Sequence, residues 1–316
     1  MKTIYLHIGR GKTGTTLLQS FLSQKREALL EQGVHYVFAG DRGKGGGHQE
    51  FAKSFIRDYP DIMDRAVNPV DARHKVRLEV LDSDKQTFLL SSENFPVADE
   101  TSVYEYFKGF GDTYKVKIIL FARTQDELAE SEYNQLVKLK RVTCSFSEYI
   151  EQEFTDCDFM ALASRWARLF GGENIICRIY DGRENNIVEQ FLSCIPEIRS
   201  ERLSPYEPPA HGNKANQSIG IKALVAAKIL NEVELDDRLQ FYNGVFDQLS
   251  RHDLPALLFS SKEASAYRAR FAQSNLAFTD KYIGEPLQEL RGRRYNDEER
   301  DNIRTDIERL ALTDFE

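Results

Sequence analysis

The sequence predicts an α/β protein: a three-layer α/β/α arrangement around a central parallel sheet, with a mainly helical C-terminal region. Three observations carry this. Residues 2–22, KTIYLHIGRGKTGTTLLQSFL, read as strand, glycine-rich loop and helix. Residues 114–123, YKVKIILFAR, are a near-continuous apolar run, which suits a central parallel strand buried on both faces. Shorter apolar, β-prone runs alternate with helical periodicity through about residue 200.

The first element sets the chemistry. Thr3-Ile4-Tyr5-Leu6-His7-Ile8 reads as a strand, with His7 buried in it. The loop Gly9–Thr16 follows, and then a helix with apolar residues at Leu17, Leu18, Phe21, Leu22, Ala28 and Leu29, closed by Gly33 as a C′ glycine. Strand, glycine loop, helix is an anion-binding arrangement, because the first N–H groups of the helix lack internal partners and the helix dipole favours negative charge there. Arg10, Gly11, Lys12, Thr13, Gly14, Thr15 and Thr16 are the candidate ligand residues. The glycines allow close approach, Lys12 adds a positive charge and the threonines add hydroxyl donors. Phosphate or sulfate is the expected anion. A nucleotide loop of the G-x-x-x-x-G-K-[ST] type needs a glycine at position 6. This chain has Leu6 there, which weakens ATP or GTP as the ligand without excluding either.

The chain then continues element by element. Val34–Phe38 reads as a short strand. Residues 40–47 contain five glycines and deliver His48 to a helix whose apolar face is Phe51, Ala52 and Phe55. A mobile glycine loop ending at a histidine suits a gate beside a site, although a plain helix-start histidine fits the same pattern. A helix is expected over 70–82, then a buried strand at 86–90 running into Ser91, Ser92 and Glu93. Ligands of open α/β sheets bind beyond the carboxyl ends of the strands, where these polar groups fall. The strand 114–123 ends on Arg123, and a helix starts near Asp126 with Leu128, Ala129, Leu136 and Val137 inward. Ser131 lies on that helix, so a strand-end guanidinium and a helix hydroxyl are placed to converge on one phosphate. Trp166–Gly171 closes another helix, Asn174–Ile179 forms a strand, and 204–213 is a proline-rich connector. A helix over about 219–230 follows, and residues 296–316 read as a solvated amphipathic helix.

Composition narrows the partners. The chain has 316 residues, 41% hydrophobic and 29% charged, with a net charge of −8. That opposes nucleic acid and strongly anionic acceptors such as heparan, and still allows a local basic pocket. No run approaches the roughly 18 apolar residues of a membrane helix. The N-terminal apolar run is too short for a secretory signal and breaks at Gly9. Cys144, Cys157, Cys177 and Cys194 lack metal-like spacing and read as reduced and structural, so no metal site is expected.

Lys12-Thr13-Gly14-Thr15-Thr16 after a strand resembles the 5′-phosphosulfate loop of sulfotransferases that use 3′-phosphoadenosine 5′-phosphosulfate (PAPS). Arg123 and Ser131, spaced R-x7-S across a strand–helix junction, resemble the 3′-phosphate site of the same family, in the same order. The string from Arg123 to Lys138 is similar to bacterial sulfotransferase-like proteins, and the likeness covers roughly residues 2–230. The resemblance implies a P-loop-like fold, with residues 1–200 as the PAPS-binding core. Residues 201–316 are then a helical part of the same domain that shapes the acceptor site. It implies PAPS as donor, 3′,5′-adenosine bisphosphate (PAP) as product, and a carbohydrate or small-metabolite hydroxyl as acceptor. Lys214 and Ser218 match a basic family loop near the 3′-phosphate more loosely. Golgi members of the family carry a membrane anchor; none is evident here, and a cytoplasmic enzyme is expected. A P-loop kinase or NTPase and a non-catalytic PAPS-fold binding protein are the alternatives.

The implied chemistry assigns roles. Lys12 would stabilise charge on the leaving phosphate, and the amides of Thr13 to Thr16 would hold the sulfonate. The acceptor hydroxyl needs a base. His48 and Glu93 are the candidates; the resemblance favours His48, because bases of that family often sit on the segment soon after the first loop and helix.

Overall fold

The computed structural model describes residues 1–41, 47–57, 68–139, 141–152, 157–180, 184–206, 219–232 and 258–284. Its centre is one sheet of β1 (Lys2–His7), β2 (Val34–Tyr36), β3 (Thr87–Ser91), β4 (Tyr114–Ala122) and β5 (Ile175–Ile179). The spatial order is β2-β3-β1-β4-β5 and every pairing is parallel. The expected α/β class with a parallel centre is what the chain adopts. The register sets His7 opposite Ser91 on β3 and Ile119 on β4, so the loop after β1 leaves from the middle of the sheet.

Why these residues form strands follows from burial. Phe88, Leu89 and Leu90 of β3 and Ile118 to Ala122 of β4 are all buried. Alternation divides them between two faces. Tyr5, Leu89, Ile119 and Phe121 pack with Leu18, Phe21 and Leu22 of α1 (Thr15–Gln24) and with Ile187 and Phe191 of α9 (Glu184–Leu192). Ile4, Leu6, Phe88, Leu90, Ile118 and Leu120 point to the opposite face and are equally buried. A parallel sheet covered on both faces needs this uninterrupted apolar composition. Each fully buried aliphatic or aromatic side chain contributes about 1.5–3 kcal/mol.

The helices between the strands follow their local signals. The periodic stretch after the loop is two helices, α1 and α2 (Arg26–Glu31), broken at Lys25. The Lys25 ammonium turns to donate to Ser204 Oγ and the Pro205 carbonyl. Gly33, at φ 82°, terminates α2 as expected. α3 (Gln49–Lys53) starts after His48. α4 (Pro69–Asp82) is capped by the Asn68 side chain with proline at the first turn, and α5 (Glu100–Lys108) by Asp99. α8 (Phe159–Phe170) is capped by Asp158 and stopped by Gly171 at φ 89°.

The chain divides into two compact units. The first takes Met1–Arg123, Asp158–Pro208 and Ser274–Gln288, and the second takes Thr124–Cys157, Pro209–Gln273 and Glu289–Glu316. The sheet belongs to the first. The second is built on α6 (Gln125–Lys138), with α7 (Phe146–Gln152), α10 (Ile221–Glu232) and α11 (Ser261–Ala269) around it. One polar stripe of α6 does much of the fastening. Asp126 pairs with Arg268, Glu130 accepts from the amides of Leu258 and Phe259 at 2.8 Å each, and the Asn134 carboxamide bonds both backbone groups of Ile219. The expected connector and loop residues 207–218, which include Lys214 and Ser218, lie outside the described residues, as do 42–46 of the glycine loop and the tail 296–316.

Candidate functional site

The loop after β1 runs through two left-handed residues into the start of α1. Lys12 adopts φ 67°, the only positive φ of a non-glycine among the described residues. Left-handed backbone is strained for a side-chain-bearing residue and tends to persist where surrounding structure enforces it. Gly14, at φ 76°, forms the N-terminal cap position of α1. That helix therefore has no side-chain cap, and no acidic residue stands in its first turn. A helix start with no side-chain cap and no acid in its first turn suits a negative charge. Behind the loop, a Cβ on Gly14 would meet Tyr180 Cε2 at 3.1 Å and Ile187 Cδ1 at 3.0 Å. The loop thus lies directly on a packed wall.

Two side chains fix the loop from within. The Thr13 hydroxyl donates to the Arg10 carbonyl at 2.7 Å, and Thr13 is fully buried. Its one O–H is therefore committed to the turn. Arg123, at the end of β4, donates from Nη1 to the Lys12 carbonyl at 2.6 Å and lies 5.5 Å from the centre of the Tyr180 ring. The structure therefore joins two residues that the sequence placed at opposite ends of the ligand. Arg10 is buried, Thr15 is buried, and Lys12, Gly11, Gly14 and Thr16 are partly exposed.

Beyond the ends of β1 and β3 lies a polar cluster. Glu93 Oε2 accepts from Gln19 Nε2 at 2.9 Å and from Gln49 Nε2 at 2.7 Å. Gln19 belongs to α1, so Glu93 is hydrogen-bonded to the helix that follows the Lys12 loop. Gln19 Nε2 also approaches Ser91 Oγ at 3.3 Å, and Ser91 Oγ bonds His7 Nδ1 at 2.8 Å. Gln49 Oε1 accepts from Ser92 Oγ at 2.8 Å and from Asn94 Nδ2. His7 is fully buried, as the sequence suggested, and burial lowers its pKa to about 3. Its ring packs edge-on to Phe121 and Phe191. A Cβ at position 9 would fall 2.5 Å from its Nε2, which is why glycine stands there.

His48 does not occupy the open position expected of it. It has no exposed surface. Nε2 donates to the Val37 carbonyl at 2.8 Å, and Nδ1 accepts the Ser91 amide at 3.1 Å. The His48 amide donates in turn to the Ser91 carbonyl at 2.8 Å. Burial lowers the ring's pKa to about 4, although the Val37 and Ser91 hydrogen bonds pull the other way. The imidazole splices the chain beyond β2 to the end of β3, and its one lone pair is engaged by a backbone N–H. The sequence placed it correctly at the start of a helix and gave no sign of its burial.

Ser131 is partly buried on α6, in the second unit. No cluster of metal-ligating side chains occurs among the described residues, and the four cysteines are free. No described helix is long and apolar enough to cross a membrane. Sequence reasoning missed Gln19 and Gln49: both are uncharged polar residues on short helices, and only the fold brings them to Glu93.

No family model matches the chain, and no curated protein matches it. Among solved structures, the chain is similar to a sulfotransferase from Alicyclobacillus acidocaldarius. The identity is 16% over 84% of this chain and 98% of that one, and the TM-score is 0.43.

Proposed function

We propose that the protein is a PAPS-dependent sulfotransferase acting on a hydroxyl of a carbohydrate or small metabolite. The observation that carries this is the start of α1: an uncapped helix with no acid in its first turn, entered through a strained Lys12. The loop motif and the R-x7-S spacing support a phosphosulfate over a triphosphate as the anion.

PAPS, when bound, supplies the sulfuryl group. The backbone amides of residues 13–16 would hold its 5′ end, with Arg10 and Gly11 in the same loop. The Lys12 ammonium compensates charge appearing on the leaving phosphate oxygen. Arg123 and Ser131 are assigned to the 3′-phosphate by the sequence pattern, and Lys214 and Ser218 join them there in the same reading. Residues 201–316 shape the acceptor site. The base is Glu93 rather than His48. Glu93 is partly exposed, and no described residue hydrogen-bonds its Oε1, whereas the His48 lone pair is taken. With PAPS bound, the acceptor proton would pass to Glu93 as the acceptor oxygen bonds to sulfur and the sulfur–phosphate oxygen bond breaks.

A thermal-shift panel tests the reading. PAP at 100 times its dissociation constant should add about 2.7 kcal/mol of stability. ATP with Mg²⁺ or GTP should add much less. Equal or greater stabilisation by ATP with Mg²⁺ makes the protein a P-loop kinase or NTPase. PAP binding without any sulfuryl transfer makes it a binding protein of the same fold.

A further inference from the structure

The two glutamine amides that meet at Glu93 point to a role of their own. We infer that Gln19 and Gln49 are positioning residues that grip one oxygen of Glu93 and turn the other toward the acceptor, an inference that rests on the sulfotransferase reading above.

Both amides converge on the same atom, Oε2, at 2.9 and 2.7 Å. A carboxylate gripped through one oxygen by two donors from different helices loses its rotational freedom. Its second oxygen is then left to face a substrate proton. Bonds of this kind, from an amide to a charged group, are among the stronger neutral-donor hydrogen bonds.

The amides are themselves oriented. Gln49 Oε1 receives the Ser92 hydroxyl and the Asn94 side-chain amide, so its NH₂ must face Glu93. Ser92 and Asn94 flank Glu93 in the chain, so the strand end carries the base and the device that orients its clamp. Gln19 reaches Glu93 from α1, which couples the base to the helix holding the anion. The exit of the glycine loop lies against both amides: a Cβ on Gly47 would fall 2.5 Å from Gln19 Oε1 and 2.9 Å from Gln49 Nε2. Position 47 is therefore small because the clamp fills the space beside it.

The test uses the full chain and five variants: Gln19→Leu, Gln49→Leu, Glu93→Gln, the Gln49→Leu/Glu93→Gln double variant, and Gly47→Ala. The readouts are PAP affinity by calorimetry and transfer of labelled sulfuryl from PAPS to a panel of monosaccharides and phenols. Each glutamine variant should lower kcat about 10- to 100-fold, the scale of one lost hydrogen bond to a charged group. The KM for PAPS and the PAP affinity should stay within about twofold. In the Glu93→Gln background, Gln49→Leu should cost less than about twofold more, because residues that act through one another are not additive. A full, additive loss in that background overturns the clamp, since the glutamine then acts without Glu93. So does wild-type kcat in both single glutamine variants while the parent protein binds PAP and transfers sulfuryl groups; that result leaves the sulfotransferase reading standing. A parent protein that does not bind PAP removes both. Should Gln49→Leu fail to fold, Gly47→Ala decides: a lowered kcat at unchanged PAP affinity supports the clamp, and parental kcat overturns it.

Discussion

Arg123 reaches back from the end of β4 to hold the carbonyl of Lys12 at 2.6 Å. The residue that the resemblance assigns to a 3′-phosphate thus also holds the Lys12 loop in its strained shape. A guanidinium has five N–H groups in a rigid fork, so one bond to a carbonyl is compatible with phosphate binding. The arrangement makes loop shape depend on a residue that lies 111 positions away in sequence.

Arg123→Ala should therefore weaken PAP binding by about 1.5–3 kcal/mol and also lower stability. Arg123→Lys should recover part of the stability, since an ammonium can still donate to the carbonyl, but less of the affinity, since the fork is gone. Calorimetry with PAP and urea melts separate the two. Unchanged PAP affinity in a folded Arg123→Ala protein would make the residue a loop brace alone.

Lys12 tests the strain directly. Lys12→Gly removes the cost of left-handed backbone, about 1–2 kcal/mol, so the variant should be more stable than the parent despite losing a side chain. Its turnover should fall far more than its affinity for PAP, because PAP lacks the sulfonate and gains little from a contact that develops in the transition state. Denaturant melts and turnover at saturating PAPS provide the comparison. Lost affinity with intact turnover would restrict Lys12 to binding.

How much of this was legible in the sequence depends on how local the signal is. β1, its loop and α1 announce themselves through glycine spacing and a change of hydrophobic period, and β4 through an apolar run. The roles of buried polar residues are not local. Nothing near His48 reveals that Val37 and Ser91 will bracket its ring. Asp126, Glu130 and Asn134 look like a solvated helix face, yet their partners lie 142, 128 and 85 residues away. Glu93 was visible as a polar residue at a strand end, but its preference over His48 rests on which lone pair the fold leaves open.

Stability should fall with acid well before the carboxylates titrate. His7 and His48 are both neutral when folded, with pKa values of about 3 and about 4 against an ordinary 6.5, mainly through burial. The folded-state values are depressed, so the unfolded chain binds more protons below pH 6.5. The stability is therefore present above pH 6.5 and lost as the pH falls toward 4. The limit is about 1.4 kcal/mol per pH unit for each histidine, or on the order of 3 kcal/mol between pH 6.5 and 5. Urea melts at pH 7 and pH 5 measure it, and His48→Gln should remove about half of the slope. A slope that His48→Gln leaves unchanged would trace the loss to other groups.

Glu93 and His48 should separate cleanly in mutants, because the proposed role of Glu93 is to take a proton, whereas the His48 ring holds two strand ends together. Glu93→Gln preserves the carbonyl oxygen that accepts from Gln19 and Gln49, so the fold and PAP affinity should persist. Turnover should drop by the 10²- to 10⁴-fold typical of a lost general base. His48→Ala instead strands the Ser91 amide and the Val37 carbonyl in a buried site, at about 1–3 kcal/mol for each unsatisfied group. It should lower the melting temperature while the folded fraction keeps most of its turnover below that temperature. His48→Gln should recover part of the stability. Turnover lost in His48→Gln at parental stability, with Glu93→Gln still active, would return the base to His48 and require its ring to leave the buried position.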